Sequence, residues 1–261
     1  MTKRRVYLGT NTKMYKSIAQ TCSFLKELSE LTAGLSREHL ELFVIPSYTA
    51  LEAARKAAPP SIIKLGAQNM AWLDEGPLTG EISPLMLREV GVEIVEIGHS
   101  ERRHIFREDL ETIRKKVLCA ARHGFTVLLC VGETTEEKEA GCMDDALRIQ
   151  LKSALHGLSP EYLSRLWVAY EPVWAIGENG TPASREYAEA RHKALRETLC
   201  QLFGQGAAEV VPLLYGGSVN SENAVGLIGM DHIDGLFIGR SAWDARRFSA
   251  IIRDVLDSVY R

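Results

Sequence analysis

The feature that most constrains this chain is a recurrence. Short runs of β-branched and aliphatic residues end in glycine or a polar group, and each gives way to a segment of helical periodicity. Eight such runs occur: Val6–Asn11, Leu42–Pro46, Ile62–Gln68, Glu93–Gly98, Thr126–Gly132, Leu166–Glu171, Val210–Gly216 and Gly235–Gly239. Helical patterns between them include 17–31, 112–123, 144–155, 185–202 and 246–259. Parallel neighbours need a crossover connection, usually a helix, so this alternation predicts a parallel sheet. A doubly wound open sheet would carry a Gly-rich dinucleotide turn after its first strand, whereas here that turn reads GTNTKMYKS. A closed α/β barrel of the (β/α)8 TIM type uses about 250 residues for eight such units. One barrel domain is therefore expected over residues 1–261.

Charge and composition close off other classes. Lys plus Arg number 31 against 34 Asp plus Glu, a net charge of −3, so the chain lacks the basic excess on which nucleic-acid binding draws. No apolar run approaches the roughly 18 residues that cross a bilayer. The N-terminus MTKRRVYLGT passes from charge into a strand-like run with no signal-peptide core. The expectation is a cytoplasmic protein with no nucleic-acid and no membrane partner. Cys22, Cys119, Cys130, Cys142 and Cys200 are odd in number and scattered, which suits reduced thiols in or near the core.

In a barrel, reactive groups gather where strands end and βα loops begin, so polar residues at those ends carry a functional reading beside a structural one. Asn11 and Lys13 follow the first run, an amide and a point charge suited to an anionic substrate; the alternative is a solvated lysine at a loop start. His99-Ser100-Glu101-Arg102-Arg103 follows the fourth. A histidine at the start of a short helix meets the positive dipole end, which favours neutral imidazole; the alternative is a helix cap beside a surface ion-pair cluster. Glu171 ends the sixth run ahead of a small-residue loop. It is placed to act as a general base under a closing lid, or else is a buried structural carboxylate paired with a cation. Trp174 is expected to pack the base of that loop. YGGSV and IGRSAW follow the last two runs, where barrels often build a phosphate site from backbone N–H groups.

Six segments in order, N-x-K-M at 11–14, TGEIS at 79–83, GHSERR at 98–103, C-x-GE at 130–133, AYEPVWAIG at 169–177 and YGGSV at 215–219, resemble the triosephosphate isomerase family along the whole chain. The resemblance implies roles: Glu171 as base, His99 as electrophile, Lys13 as the cation beside substrate oxygen and phosphate, Asn11 as a hydrogen-bond partner at the oxyanion, and Glu101 ordering the cluster. It also implies phosphate contacts at Gly177, Ser218 and Gly239, a packing role for Cys130, and a homodimer through the Gln68 to Glu81 loop, with Ala71, Trp72 and Leu73 exposed on a monomer. No cofactor or metal is implied, because this proton transfer needs none.

The sequence departs from the family pattern in three places. Arg240 follows Gly239 where the family usually has a second glycine, the lid tip reads Glu178-Asn179-Gly180 instead of TGK, and Thr12 stands where Trp is frequent. GENG together with GRSAW resembles the family's L-erythrulose-1-phosphate isomerases of tetritol (erythritol) catabolism. The implied substrate is thus a phosphorylated four-carbon sugar, with Arg240 helping to discriminate it. The alternatives are the three-carbon reaction of glycolysis and gluconeogenesis, dihydroxyacetone phosphate to D-glyceraldehyde 3-phosphate, and a non-catalytic barrel that only binds sugar phosphates.

Overall fold

The computed structural model describes residues 5–177 and 180–260. Eight parallel strands close into a barrel in sequence order: β1 Val6–Asn11, β2 Leu40–Ile45, β3 Lys64–Ala67, β4 Ile94–Ile97, β5 Thr126–Val131, β6 Leu166–Tyr170, β7 Leu213–Tyr215 and β8 Gly235–Phe237. Closure is made by β1 against β8, with Tyr7 opposite Gly235 and Gly9 opposite Phe237. Helices Ile18–Thr32, Leu110–Arg122, Met143–Leu155, Arg185–Phe203 and Ala245–Tyr260 lie within one or two residues of the periodic segments at most of their ends. Side-chain caps fix several starts: Ser17 accepts from Gln20 N–H, Asp109 from Thr112 N–H and Ser184 from Tyr187 N–H.

Both faces of each strand are buried, one by the helices and one by the barrel interior. Outward residues such as Val95, Ile97, Val127, Leu129, Val168 and Tyr170 join the large core against the helices. Inward residues Phe43, Ile45, Ile94, Leu128, Cys130, Trp167, Ala169, Leu214 and Phe237 fill the barrel, with Tyr7 packed against them. Aromatic contacts seal its lower part, Trp167 lying 5.1 Å from Tyr7 and 5.4 Å from Phe43. The barrel is a packed core open at one end only to the site described next.

Of the five cysteines, all unpaired, Cys119 and Cys130 are buried and Cys22 and Cys200 half-buried. Cys142 departs from the expectation. It stands exposed at the start of helix Met143–Leu155, whose buried face begins only at Ala146. Among the described residues no helix is long and apolar enough to cross a membrane.

Candidate active site

Strand alternation builds the site. Continuing each inward row by two residues from Gly9, Ala169, Leu214 and Phe237 gives Asn11, Glu171, Gly216 and Gly239 at the C-terminal mouth, while Ile94 leads to Glu96 just beneath it. Small residues there leave room. A Cβ on Gly216 would lie 2.8 Å from Glu171 Cγ, so the glycine lets the carboxylate stand upright. All nine site residues expected from the sequence, Asn11, Lys13, His99, Glu101, Glu171, Gly177, Ser218, Gly239 and Arg240, line one cavity of about 520 Å³.

The turn after β1 is tightly specified. Asn11 Oδ1 accepts from Lys13 N–H at 2.6 Å and from Gln68 Nε2 at 3.0 Å, while Gln68 Nε2 also donates to Lys13 O at 2.7 Å. Lys13 has φ +50°, a left-handed conformation unusual for a side chain with a Cβ, and these bonds hold it. Its ammonium reaches Glu101 Oε1 at 2.5 Å. From the opposite side, Trp243 Nε1 donates to Asn11 O at 2.9 Å and ties the loop after β8 to the end of β1.

Gly98, with φ +75°, turns the chain out of β4 and delivers His99 as the cap of the short helix Ser100–His104. The imidazole Nδ1 accepts from Glu101 N–H at 3.1 Å, so the ring proton sits on Nε2. That Nε2 faces Glu171 Oε1 at 3.6 Å and Glu96 Oε1 at 4.0 Å. Glu171 is almost wholly buried, its backbone N–H donating to Val131 O at 2.8 Å. Its Oε2 has no hydrogen-bond partner among the described residues, a buried carboxylate oxygen left for a proton or a ligand. Among the described residues no Lys or Arg lies within ion-pair distance of Glu171; its neighbour is the His99 ring. Arg103 braces the floor, donating to Gly98 O and Cys130 O at 2.6 and 2.8 Å, and burial draws its pKa down to about 10.

The lid stem is anchored on Glu133, which directly follows the fifth run. Its Oε1 accepts from Tyr170 OH, Trp174 Nε1 and Tyr187 OH, each at 2.9 Å, and its backbone O accepts from Val173 N–H at 3.0 Å. Trp174 therefore packs the loop base as expected, edge-on to Tyr187 at 5.4 Å. Burial, and after it the Glu133 charge, raises the Tyr187 phenol to about 12. Glu178 and Asn179 lie outside the described residues. On the far rim, Asn223 Nδ2 donates to Ser218 O at 2.9 Å, and a single turn, Arg240–Ala242, follows Gly239. Arg240 is exposed and its guanidinium donates to Gly177 O at 3.2 Å, bridging the loop after β8 to the lid stem.

Sequence reasoning passed over Glu96, Gln68 and Glu133 as functional partners. One expectation needs correction. Leu73 is exposed as expected, at 41%, but Ala71 is buried and Trp72 half-buried against the chain's own core. Exposed apolar side chains also gather at the rim: Met14 is 94% exposed, Tyr15 66%, Ile105 68% and Phe106 64%. Three potential metal donors come within 4.8 Å in two places among the described residues, Glu96–His99–Glu171 and Asp74–Cys119–His123. The first is the acid–base cluster itself. In the second, His123 Nε2 is taken by Asp74 Oδ1 at 2.7 Å.

A closed parallel barrel with imidazole, carboxylates and ammonium converging at its C-terminal mouth has the layout of an acid–base barrel enzyme. The chain belongs to the triosephosphate isomerase family, whose model "Triosephosphate isomerase" matches residues 6–255. It is 45% identical over 258 residues to an L-erythrulose-1-phosphate isomerase of Rhizobium etli, covering 98% of this chain and 94% of that protein. It is 44% identical to one from Mycolicibacterium smegmatis, covering 95% and 92% of the two chains. A third, from Brucella abortus, is 46% identical with 95% of each chain covered. The chain is a sugar-phosphate isomerase by family.

Proposed function

We propose that this protein, a single domain over residues 1–261, interconverts L-erythrulose 1-phosphate and D-erythrulose 4-phosphate. The reading is carried by the convergence of all nine site residues on one cavity, in a chain whose relatives of that name match nearly end to end. In the substrate the ketone at C2 lies between the phosphorylated CH₂ and the CHOH at C3. Glu171 takes the C3 proton; the C–H electron pair becomes the C2=C3 bond and the carbonyl pair moves onto the C2 oxygen. His99 donates Nε2–H to that oxygen and recovers a proton from the C3 hydroxyl. Glu171 returns its proton at C2, leaving the ketone at C3.

Lys13 and the Asn11 amide stabilise the developing oxyanion, and Glu101 orders the ammonium. Backbone N–H groups of Gly177, Ser218 and Gly239 hold the phosphate, with Arg240 beside them. Dihydroxyacetone phosphate has the same phosphorylated CH₂ beside a ketone and lacks one CH₂OH, so both substrates suit the same groups. The deciding experiment is turnover of purified protein on both sugar phosphates side by side. A higher kcat/KM for L-erythrulose 1-phosphate is expected. A preference for the triose would reassign the substrate, and no turnover of either would favour a binding barrel.

We also propose a two-fold homodimer in the cytoplasm, where five unpaired thiols stay reduced. The Gln68 to Glu81 loop, exposed at 73–77 and 79–80, would cover the apolar rim of a second copy, setting Thr79 near Asn11 and Lys13 of the partner subunit. Light scattering at micromolar concentration is expected to give a dimer. A fully active, monodisperse monomer would contradict this.

A further inference from the structure

Glu96 is a buried ionisable group beneath the site that the reaction above leaves unused. It stands on the inward row of β4, in a strand otherwise reading Ile94-Val95-Ile97, and is 0% exposed. It lies beneath the cavity and is not among the residues that line it. Burying a carboxyl there is costly unless its oxygens are satisfied, and an apolar side chain would pack the same space without that cost.

Its contacts lead to the reacting groups. Asn11 Nδ2 donates to Glu96 Oε2 at 2.6 Å, while Glu96 Oε1 lies 3.8 Å from Cys130 Sγ and 4.0 Å from His99 Nε2. The Asn11 amide is thereby held at both ends: its oxygen by Lys13 N–H and Gln68, its nitrogen by Glu96. A flip would set donor against donor in a buried place. The strained Lys13 backbone depends on that same amide oxygen. We infer that Glu96 is a positioning residue, the buried anchor that fixes the Asn11 amide and, through it, the turn presenting the Lys13 ammonium to substrate.

The charged and titratable groups around it come from four elements: Lys13 after β1, His99 and Glu101 after β4, Cys130 on β5 and Glu171 after β6. Lys13 is committed to Glu101. Two carboxyls, Glu96 and Glu171, then approach the same imidazole nitrogen, and like charges so placed do not both ionise readily. Burial, and after it the Glu171 charge, push the Glu96 carboxyl well above the usual range. Glu96 is the neutral acid of the pair. One Glu96 oxygen remains free to accept from Asn11.

The inference rests on the isomerase reading, so wild-type turnover is measured first. Glu96→Leu removes the acceptor and keeps the bulk; kcat/KM should fall at least tenfold while the thermal unfolding midpoint holds or rises. Glu96→Gln keeps an uncharged acceptor toward Asn11 and should rescue most of that loss, with an unchanged pH–rate profile. An infrared carbonyl band of a protonated carboxyl at neutral pH should vanish in Glu96→Gln. Wild-type kcat/KM in Glu96→Leu, or a Glu96→Gln variant as slow as Glu96→Leu, would overturn the proposal. Calorimetric binding of 2-phosphoglycolate, whose carboxylate mimics the enediolate oxygens, gives a readout independent of turnover. About tenfold weaker binding by Glu96→Leu is expected even if neither sugar phosphate proves to be the substrate, and unchanged binding overturns the inference.

Discussion

The floor and the rim of the cavity are built on opposite plans. On the floor, Asn11, Glu96, His99 and Glu171 are buried and each is held by atoms from another strand or loop. At the rim, Met14 and Phe106 are exposed, and Gly239 and Arg240 lie open beside a lid stem that one guanidinium bridges. The floor therefore has its geometry before substrate arrives, which is what proton transfer over short distances requires. The rim is left to be completed by ligand, lid and a second copy, so chemistry and specificity can be altered separately.

The largest effect expected from breaking the floor is at Glu171. Glu171→Gln keeps volume and hydrogen bonding but removes the proton acceptor, so kcat should fall by about 10²–10⁴-fold. Binding of a phosphate analogue should persist, because the phosphate is held at the rim. Near-normal turnover in steady-state assays would remove Glu171 from the role of base.

Glu133 tests the boundary between the two regions. Three donors from Tyr170, Trp174 and Tyr187 converge on one oxygen, and Glu133→Leu would strand them all. The expected loss is about 3–5 kcal/mol of folding stability in denaturant titrations, with the lid stem released from β5. An unfolding midpoint equal to wild type would show that water replaces the carboxylate at no cost.

Much of this layout was legible in the sequence because barrel strands carry strong local signals. β1 matched its run to the residue, and β6 ended one residue before Glu171. β7 began later than its run: 205–209 forms a helix, and Pro212, lacking an N–H, directly precedes the first paired residue, Leu213. Glu96 was not legible. In Ile94-Val95-Glu96-Ile97 a lone acidic residue reads as one solvent-facing step of a strand, and only closure of the barrel turns that face inward. Glu133 was hidden for another reason: its three donors lie 37 to 54 residues further along the chain. Trp72 was misjudged because local pattern does not show that its loop folds back onto the core.

The smallest expected effect belongs to the rim. Arg240 takes the place of a glycine, and its side chain leaves the tight turn to donate to Gly177 O. An exposed hydrogen bond of this kind contributes about 1 kcal/mol or less, so its removal should scarcely change folding. Its effect should fall on substrate choice, because the same guanidinium lines the cavity at the lid stem. Arg240→Gly is expected to leave kcat on dihydroxyacetone phosphate within a few fold. The ratio of kcat/KM for the tetrulose over the triose should drop by about three- to tenfold, the scale of one polar contact. Floor residues should lower both activities together, whereas Arg240 should move only their ratio. An unchanged ratio would assign the Arg240 bridge to loop packing alone and leave discrimination to the space beside Glu171.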